Sequence, residues 1–392
     1  MMKLVRKLWQ RSKNSFPVTG FHFDRPLVLF QSDDWGRVGV RDQEGAEQLR
    51  AAGVAIGERP YDCYSLETSD DLGALSEVLK RHRDSIGRSP CLEMNFILAN
   101  LDFARMRAEG FQQIHTVPLN EALPRPWERP GLAAAYRQGI TEGTFFPALH
   151  GTTHFCRSAV ESSLVAGGAR ANFLRTLWEA ATPYIHWRMP WIGYEYWDSE
   201  KPEDEQFLPA EAQREFIGQA VGAFAKMFST LPRSACAPGY RANDDTNIAW
   251  ARHGIHVAQN GPGRIVAPYF EHDMLQVFRT VEFEPATDEG SSLEIWMEQA
   301  EACLERGVPA IVSVHSINFH STVRDFRSPT LRLLDEFLTA LESKYRDLLY
   351  LHDEDLYQIV TRGCYQTADS SVPVGVRQKK FIRSRAVRMG EA

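Results

Sequence analysis

Leu27-Val28-Leu29-Phe30-Gln31-Ser32-Asp33-Asp34-Trp35-Gly36 runs from four apolar residues into two adjacent carboxylates and a turn. The apolar half reads as a buried strand and the polar half as its end. Two neighbouring acids at such a place are costly to bury unless a cation neutralises one of them. A metal ion does this, and it lets one acid act as ligand while the other acts as base. Taken alone, an Asp-Asp pair before Trp-Gly is more often a turn or a helix cap. Its meaning depends on whether other strand ends carry matching groups.

Three do. His150-Gly151-Thr152-Thr153-His154 follows the apolar stretch FFPAL, and two imidazoles four apart at a strand-to-helix junction can converge on one ion. Taken alone the pair reads equally well as two solvated histidines on a helix. Ala237-Pro238-Gly239-Tyr240-Arg241-Ala242-Asn243-Asp244 follows a short strand. Its Pro and Gly fix a tight turn that can aim backbone N–H groups into a cleft, Arg241 can hold a carboxylate, and Asn243 or Asp244 caps the next helix. Val312-Ser313-Val314-His315-Ser316 ends a fourth strand in a histidine. A histidine there is ordinarily a hydrogen-bonded core residue, and it gains meaning from its place in the series.

Around these points strand-like and helix-like runs alternate. Strands are expected at 27–31, 92–98, 144–150, 234–237, 255–259, 278–283 and 310–315, with a last strand–helix pair over 348–363. Helical periodicity occupies 42–52, 70–85, 132–139, 211–228, 244–252, 291–306 and 329–344. Repeated β–α units predict parallel strands with helices outside, and seven or eight of them suit a barrel better than a small open sheet. The fold expected is therefore α/β, a distorted (β/α)7-8 barrel whose reactive residues sit at the carboxyl ends of its strands. Residues 186–199, HWRMPWIGYEYWDS, do not fit a β–α unit. They read as part of an aromatic insertion, around 180–210, lying over one face of the barrel.

A chain of 392 residues that is 43% hydrophobic and 24% charged, with no apolar run of about 18 residues, is neither mainly disordered nor membrane-spanning. Net charge is −7, unevenly spread. Lys3, Arg6, Lys7, Arg11 and Lys13 crowd the start, and Arg377, Lys379, Lys380, Arg383, Arg385 and Arg388 the end. The rest is acidic, which argues against nucleic acid as the main partner. The basic ends read as solvated tails, with contact to anionic lipid as the alternative. The boundaries expected are a basic segment 1–20, a barrel domain 21–365 and a basic flexible tail 366–392. Six cysteines stand far apart without a CxxC pair, so they read as reduced and mostly buried. The basic N-terminus lacks an apolar stretch and a cleavage site, which leads to a cytoplasmic expectation.

In order and spacing, the four strand ends resemble the polysaccharide deacetylases of carbohydrate esterase family 4, the chitooligosaccharide-deacetylase homology group, over about residues 25–365. Gln31-Ser32-Asp33-Asp34-Trp35-Gly36 is similar to that family's TFDDG motif, His150 to His154 to its HxxxH motif, APGYRAND to its R-x-P-Y motif, and the strand ending in His315 to its last motif. The chain departs from the pattern in three ways: Arg241 follows the tyrosine, Val281-Glu282-Phe283-Glu284 stands where an Asp-Trp motif is expected, and Trp35 precedes the glycine. SDDWG, HGxxH and His315-Ser316-Ile317-Asn318-Phe319 resemble a divergent branch linked to surface-polysaccharide biosynthesis.

The resemblance implies a metal-dependent hydrolase that removes an acetyl group from an N-acetylated sugar in a polysaccharide or its precursor. Asp34, His150 and His154 would hold a divalent ion, most naturally zinc, with Co, Ni, Mn or Fe as further candidates. Asp33 would be the base, Arg241 its partner, His315 the acid, and a backbone N–H near Tyr240 part of the oxyanion site. Substrate contacts are expected from Tyr240, Trp35, Trp187, Trp191 and Trp197, although the three tryptophans of the insertion read equally well as its packing. His320 is the other candidate acid. Asn95, Asn100 and Asp102 read as structural, with cleft contacts as the minority option. The rival readings are a barrel hydrolase of a cyclic amide or ureide and a non-catalytic carbohydrate-binding relative.

Overall fold

The computed structural model describes residues 15–366 and 371–384. In chain order the strands are β1 (Ser15–Phe23), β2 (Leu27–Trp35), β3 (Leu92–Ile97), β4 (Ala99–Leu101), β5 (Thr116–Pro118), β6 (Phe145–Gly151), β7 (Ser234–Cys236) and β8 (Val257–Asn260). They continue with β9 (Tyr269–Glu271), β10 (Met274–Phe278), β11 (Val281–Glu282), β12 (Ala310–His315), β13 (Leu349–Leu351), β14 (Cys364–Gln366), β15 (Ser371–Pro373) and β16 (Val376–Ser384). All nine residues of β2 and all six of β3 are buried. Such strands are covered on both faces, which is why they read as apolar runs without alternation.

The parallel ladder runs β12, β2, β3, β6, β7, β8, β10. Only Arg279 and Thr280 separate β10 from β11, and β11 pairs in parallel with β12. The Arg279 N–H bonds to Asn260 O, whereas the next one, Thr280 N–H, bonds to Ile311 O. One extended stretch thus lies against β8 with its first half and against β12 with its second. That closes a distorted barrel of seven parallel strands, as the β–α alternation predicts. Sequence reading placed this strand at 278–283, too late to include its first half.

The interior is layered. Leu27, Leu29, Val257, Leu275, Val277 and Ile311 belong to one apolar cluster, floored by Phe21, Phe23, Leu356 and Ile359. Two residues further along β2, Gln31 and then Asp33 extend the same side of the strand, because side chains alternate with period two. The larger cluster lies on the outer face, where Val28, Phe30 and Met94 meet the helices. Ala210–Phe228, where helical periodicity is expected over 211–228, packs there through Ile217, Ala220, Val221 and Phe224, with Phe216 and Met227 partly buried beside them. Helices Arg157–Ala166 and Gly168–Glu179 were not anticipated; their sparse apolar spacing is weakly amphipathic.

The expected flexible tail is corrected by β16. It pairs antiparallel with β1 along all nine residues, Ser15 with Ser384 through Phe23 with Val376, so the expected basic segment 1–20 also holds most of a strand. Its charge hid it: Phe381 sets its ring edge-on to Tyr269, and Arg383 is buried over the rings of Tyr269 and Phe278. The remaining basic residues of 1–14 and 385–392 lie outside the described residues. All six cysteines are free and five are buried. No helix among the described residues is long and apolar enough to cross a membrane.

Candidate active site

The end of β2 is bent so that both aspartates can face inward. The β2–β3 register shifts between Ser32 and Trp35, and Asp34 takes a left-handed backbone, φ 76°, unusual for a residue with a Cβ. Strain of this kind persists only where neighbours fix it. The Tyr64 hydroxyl donates to Asp34 O at 2.7 Å, Glu67 accepts from the Gly36 N–H at 2.9 Å, and Asn100 bonds both Gly36 O and the Val38 N–H. Arg37 donates to Asp34 Oδ2 at 3.1 Å and lies over the Tyr64 ring. Its charge outweighs the cost of burial and holds the Asp34 carboxyl well below the usual carboxylate range.

Asp34 Oδ1 points the other way, toward Nε2 of His154 at 3.2 Å and Nε2 of His150 at 3.7 Å. The His150 Nδ1–H donates to Cys236 O at 2.9 Å, which leaves its Nε2 as a lone pair. Burial pushes both imidazoles down, so both are neutral. Asp34 Oδ1 and His150 Nε2 are buried without a hydrogen-bond partner among the described residues. Acceptors gathered with no donor between them are what a cation resolves. All three ligand atoms lie within 4.8 Å of one another. A neutral imidazole fixed through its other nitrogen and an ionised carboxylate fit a divalent ion. The rival trio of Asp33, His150 and Cys236 fits poorly, because Arg279 occupies both oxygens of Asp33 and burial pushes the Cys236 thiol well up.

Asp33 sits beside this trio with a different partner set. Arg279 grips it with both prongs, at 2.7 and 2.6 Å, and Asn95 Nδ2 donates to Oδ1 at 2.8 Å. Arg279 outweighs burial and keeps this carboxyl ionised, well below its usual range. Across the site, His315 Nδ1 pairs with Glu284 Oε1 at 2.6 Å while its Nε2 lies 3.9 Å from Asp33 Oδ2. Burial works against its charge, but Glu284 and then Asp33 outweigh it, and the imidazolium is pushed up to about 9. Two ionisable groups stand side by side here, one held as base and one as acid.

A cavity of about 350 Å³ lies over these groups. Asp33, Asp34, His150, His154, His315 and Arg241 all line it, with Tyr240 and Trp187. Trp35, Trp191 and Trp197 do not. Trp35 is fully buried, bonded through its indole N–H to Ser32 Oγ and stacked on Phe319, because its strand position turns it into the core. Trp191 lies under Arg170 and Trp197 under Arg241, so they pack the insertion. His320 is buried beside Glu67 and Ser65, away from the cavity. Asp102 caps the helix Phe103–Ala108. One further expectation is corrected: Asp33 is paired by Arg279, not Arg241. Of the backbone N–H groups near Tyr240, its own bonds to Ala237 O at 2.9 Å and that of Arg241 to Pro238 O at 3.2 Å.

Arg279 and Arg37 escaped the sequence reading, and Glu284 enters it only within the stretch standing at the Asp-Trp position, with no part given to it. A charged residue inside an apolar strand, Met274-Leu275-Gln276-Val277-Phe278-Arg279, was the available signal for the first. Glu195 also escaped. It is buried, and its Oε1 accepts from the N–H groups of Thr152 and Thr153, both at 2.8 Å, in the turn between His150 and His154.

No family model and no curated protein matches the chain. Among solved structures it is similar to a Mycobacterium smegmatis protein assigned as a polysaccharide deacetylase: 12% identity, TM-score 0.44, covering 86% of this chain and 90% of that one. A family 4 carbohydrate esterase from Streptomyces lividans, in complex with acetate, is similar at 11% identity and TM-score 0.35, over 83% and 92%. PuuE allantoinase is similar at 12% identity and TM-score 0.44, over 86% and 91%. At this distance the chemistry has to be read from the chain's own side chains.

Proposed function

We propose that the protein is a metal-dependent hydrolase that removes an acetyl group from an N-acetylated sugar. The observation that carries this reading is the division of labour in one cavity: ligand atoms of Asp34, His150 and His154 lie within 4.8 Å of one another, beside Asp33 held by Arg279 and His315 held by Glu284. Asp34, His150 and His154 would hold a divalent ion, zinc or another of similar preference, whose chemistry is to polarise the amide carbonyl and acidify its water.

Asp33 is well placed to accept the water's proton. Arg279 keeps it charged and aimed, and also makes it a weak base that needs an acidified donor. His315 carries a proton on Nε2 for the departing nitrogen, since an amide anion is too poor a leaving group to go unprotonated. Glu284 fixes the ring that delivers it. Tyr61 sets its ring edge-on to His315, and Trp187 is pinned through its indole N–H to Asp62, so the cavity offers the apolar faces that sugar C–H surfaces favour. The free cysteines suit a reducing, cytoplasmic compartment and hence a saccharide precursor.

The test is acetate release from N-acetylated saccharides by purified protein with Zn²⁺ or Co²⁺, run beside a cyclic ureide. Asp33→Asn is expected to lower turnover about 10²–10⁴-fold while bound metal stays stoichiometric by elemental analysis. Metal-loaded protein that releases no acetate from any sugar, or opens the ureide instead, would falsify the reading.

A further inference from the structure

The ionised groups around the cavity have counter-charges at hand, with one exception. Asp33 has Arg279, Asp34 has Arg37, and His315 has Glu284. Arg241 lines the same cavity, and among the described residues no carboxylate pairs with it and no side-chain hydrogen bond is made by it. Its Nε is buried without a partner. Burying part of a guanidinium unpaired is costly, and an arginine keeps its charge.

The arginine is also held in place. Gly239 and Tyr240 both take left-handed backbones, φ 59° and 57°, so the turn presents residue 241 in one direction. The Arg241 N–H bonds to Pro238 O at 3.2 Å, and Asn243 caps the following helix through the Thr246 N–H at 3.0 Å. Its guanidinium lies 4.7 Å from the Trp197 ring centroid, and that indole is fixed by Gln206 at 3.1 Å. A planar cation held on an aromatic platform beside a largely aromatic cavity is prepared for a two-pronged oxyanion.

We propose that Arg241 reads a negative charge on the substrate: the N-acetylated saccharide carries an oxyanion, either a sugar carboxylate or a phosphate linkage, that pairs with this guanidinium. The inference rests on the deacetylase reading of the same cavity. It makes Arg241 a specificity-determining residue, freed for that role because Arg279 takes over the pairing of Asp33.

The experiment follows binding by tryptophan fluorescence and, in parallel, acetate release. The probes are N-acetylglucosamine, its 6-carboxylate analogue N-acetylglucosaminuronic acid, and UDP-N-acetylglucosamine. At least one charged probe is expected to bind ten-fold or more tightly than the neutral one; which one it is separates a carboxylate from a phosphate. Arg241→Gln is expected to erase that preference, weakening the charged probe about ten- to a hundred-fold more than the neutral one. Arg241→Lys is expected to restore part of it, which separates the charge from mere packing on Trp197. Equal binding of neutral and charged probes, no binding of any, or an equal loss on all three in Arg241→Gln overturns the inference. A charge preference that depends on Arg241 without acetate release sinks the deacetylase reading instead and leaves the anion site standing.

Discussion

Glu284→Gln removes the carboxylate that most favours the His315 imidazolium. The proton is held up to about pH 9 in the intact site, and without that anion it should leave nearer the ordinary histidine value of about 6.5. Since the protonated form is the working acid, the basic limb of a kcat/KM profile is expected near pH 9 in the parent and at least one pH unit lower in Glu284→Gln. A limb that does not move removes His315 from the acid role. Arg279→Met tests the other half of the site. It leaves the buried Asp33 carboxylate uncompensated, a loss of about 3–5 kcal/mol by denaturant titration. Asp33→Asn in the same chain should recover part of that loss, because the stranded charge is gone. At this scale the sequence was informative about residue types and less so about partners. The Asp33-Asp34 pair and the two histidines are visible as a pattern. Arg279 and Glu284 are ordinary letters until the barrel closes and brings residue 279 to residue 33.

The end of β6 carries His150 and the loop from it to the helix Arg157–Ala166 carries His154, yet the shape of that loop depends on the insertion. Glu195 reaches in from the aromatic segment and satisfies two consecutive N–H groups, of Thr152 and Thr153. Burial pushes its carboxyl up to about 8 even so. Gly151 sits against it with φ 150°, and a Cβ there would collide with the Glu195 carboxyl group. Glu195→Ala leaves the two N–H groups bare and the loop free to shift. Metal affinity is expected to fall about 10–100-fold by calorimetric Zn²⁺ titration, with little change at the Asp33–Arg279 pair. Undiminished affinity would make the contact incidental. The excess of aromatic residues over 186–199 was legible as an insertion over the barrel; what its acid does was not, because a glutamate among tyrosines and tryptophans carries no periodicity that names its contact.

Across the whole molecule, the strand pair β1–β16 extends the sheet beyond the barrel through β9. Deleting residues 376–384 uncovers Tyr269 and Phe21 and turns β1 into an open edge. A lower Tm by scanning calorimetry and added self-association by light scattering are expected; an unchanged Tm would mean the strand contributes little. Helical stripes such as Ile217, Val221 and Phe224, and apolar strands ended by turns, were set by local sequence, because a covered face needs apolar residues at a fixed period. The same local logic misread β16, whose basic side chains look like a solvated tail until Arg383 is seen over two rings.

The sequence by itself determined the β–α alternation and the acids and imidazoles waiting at strand ends, since each follows from residues within a few positions of one another. Only the tertiary structure decided which cation holds which carboxylate. Pairing is a matter of distance in space, and closing the ring at Arg279 and Thr280 placed one arginine on Asp33 and left Arg241 facing the cavity.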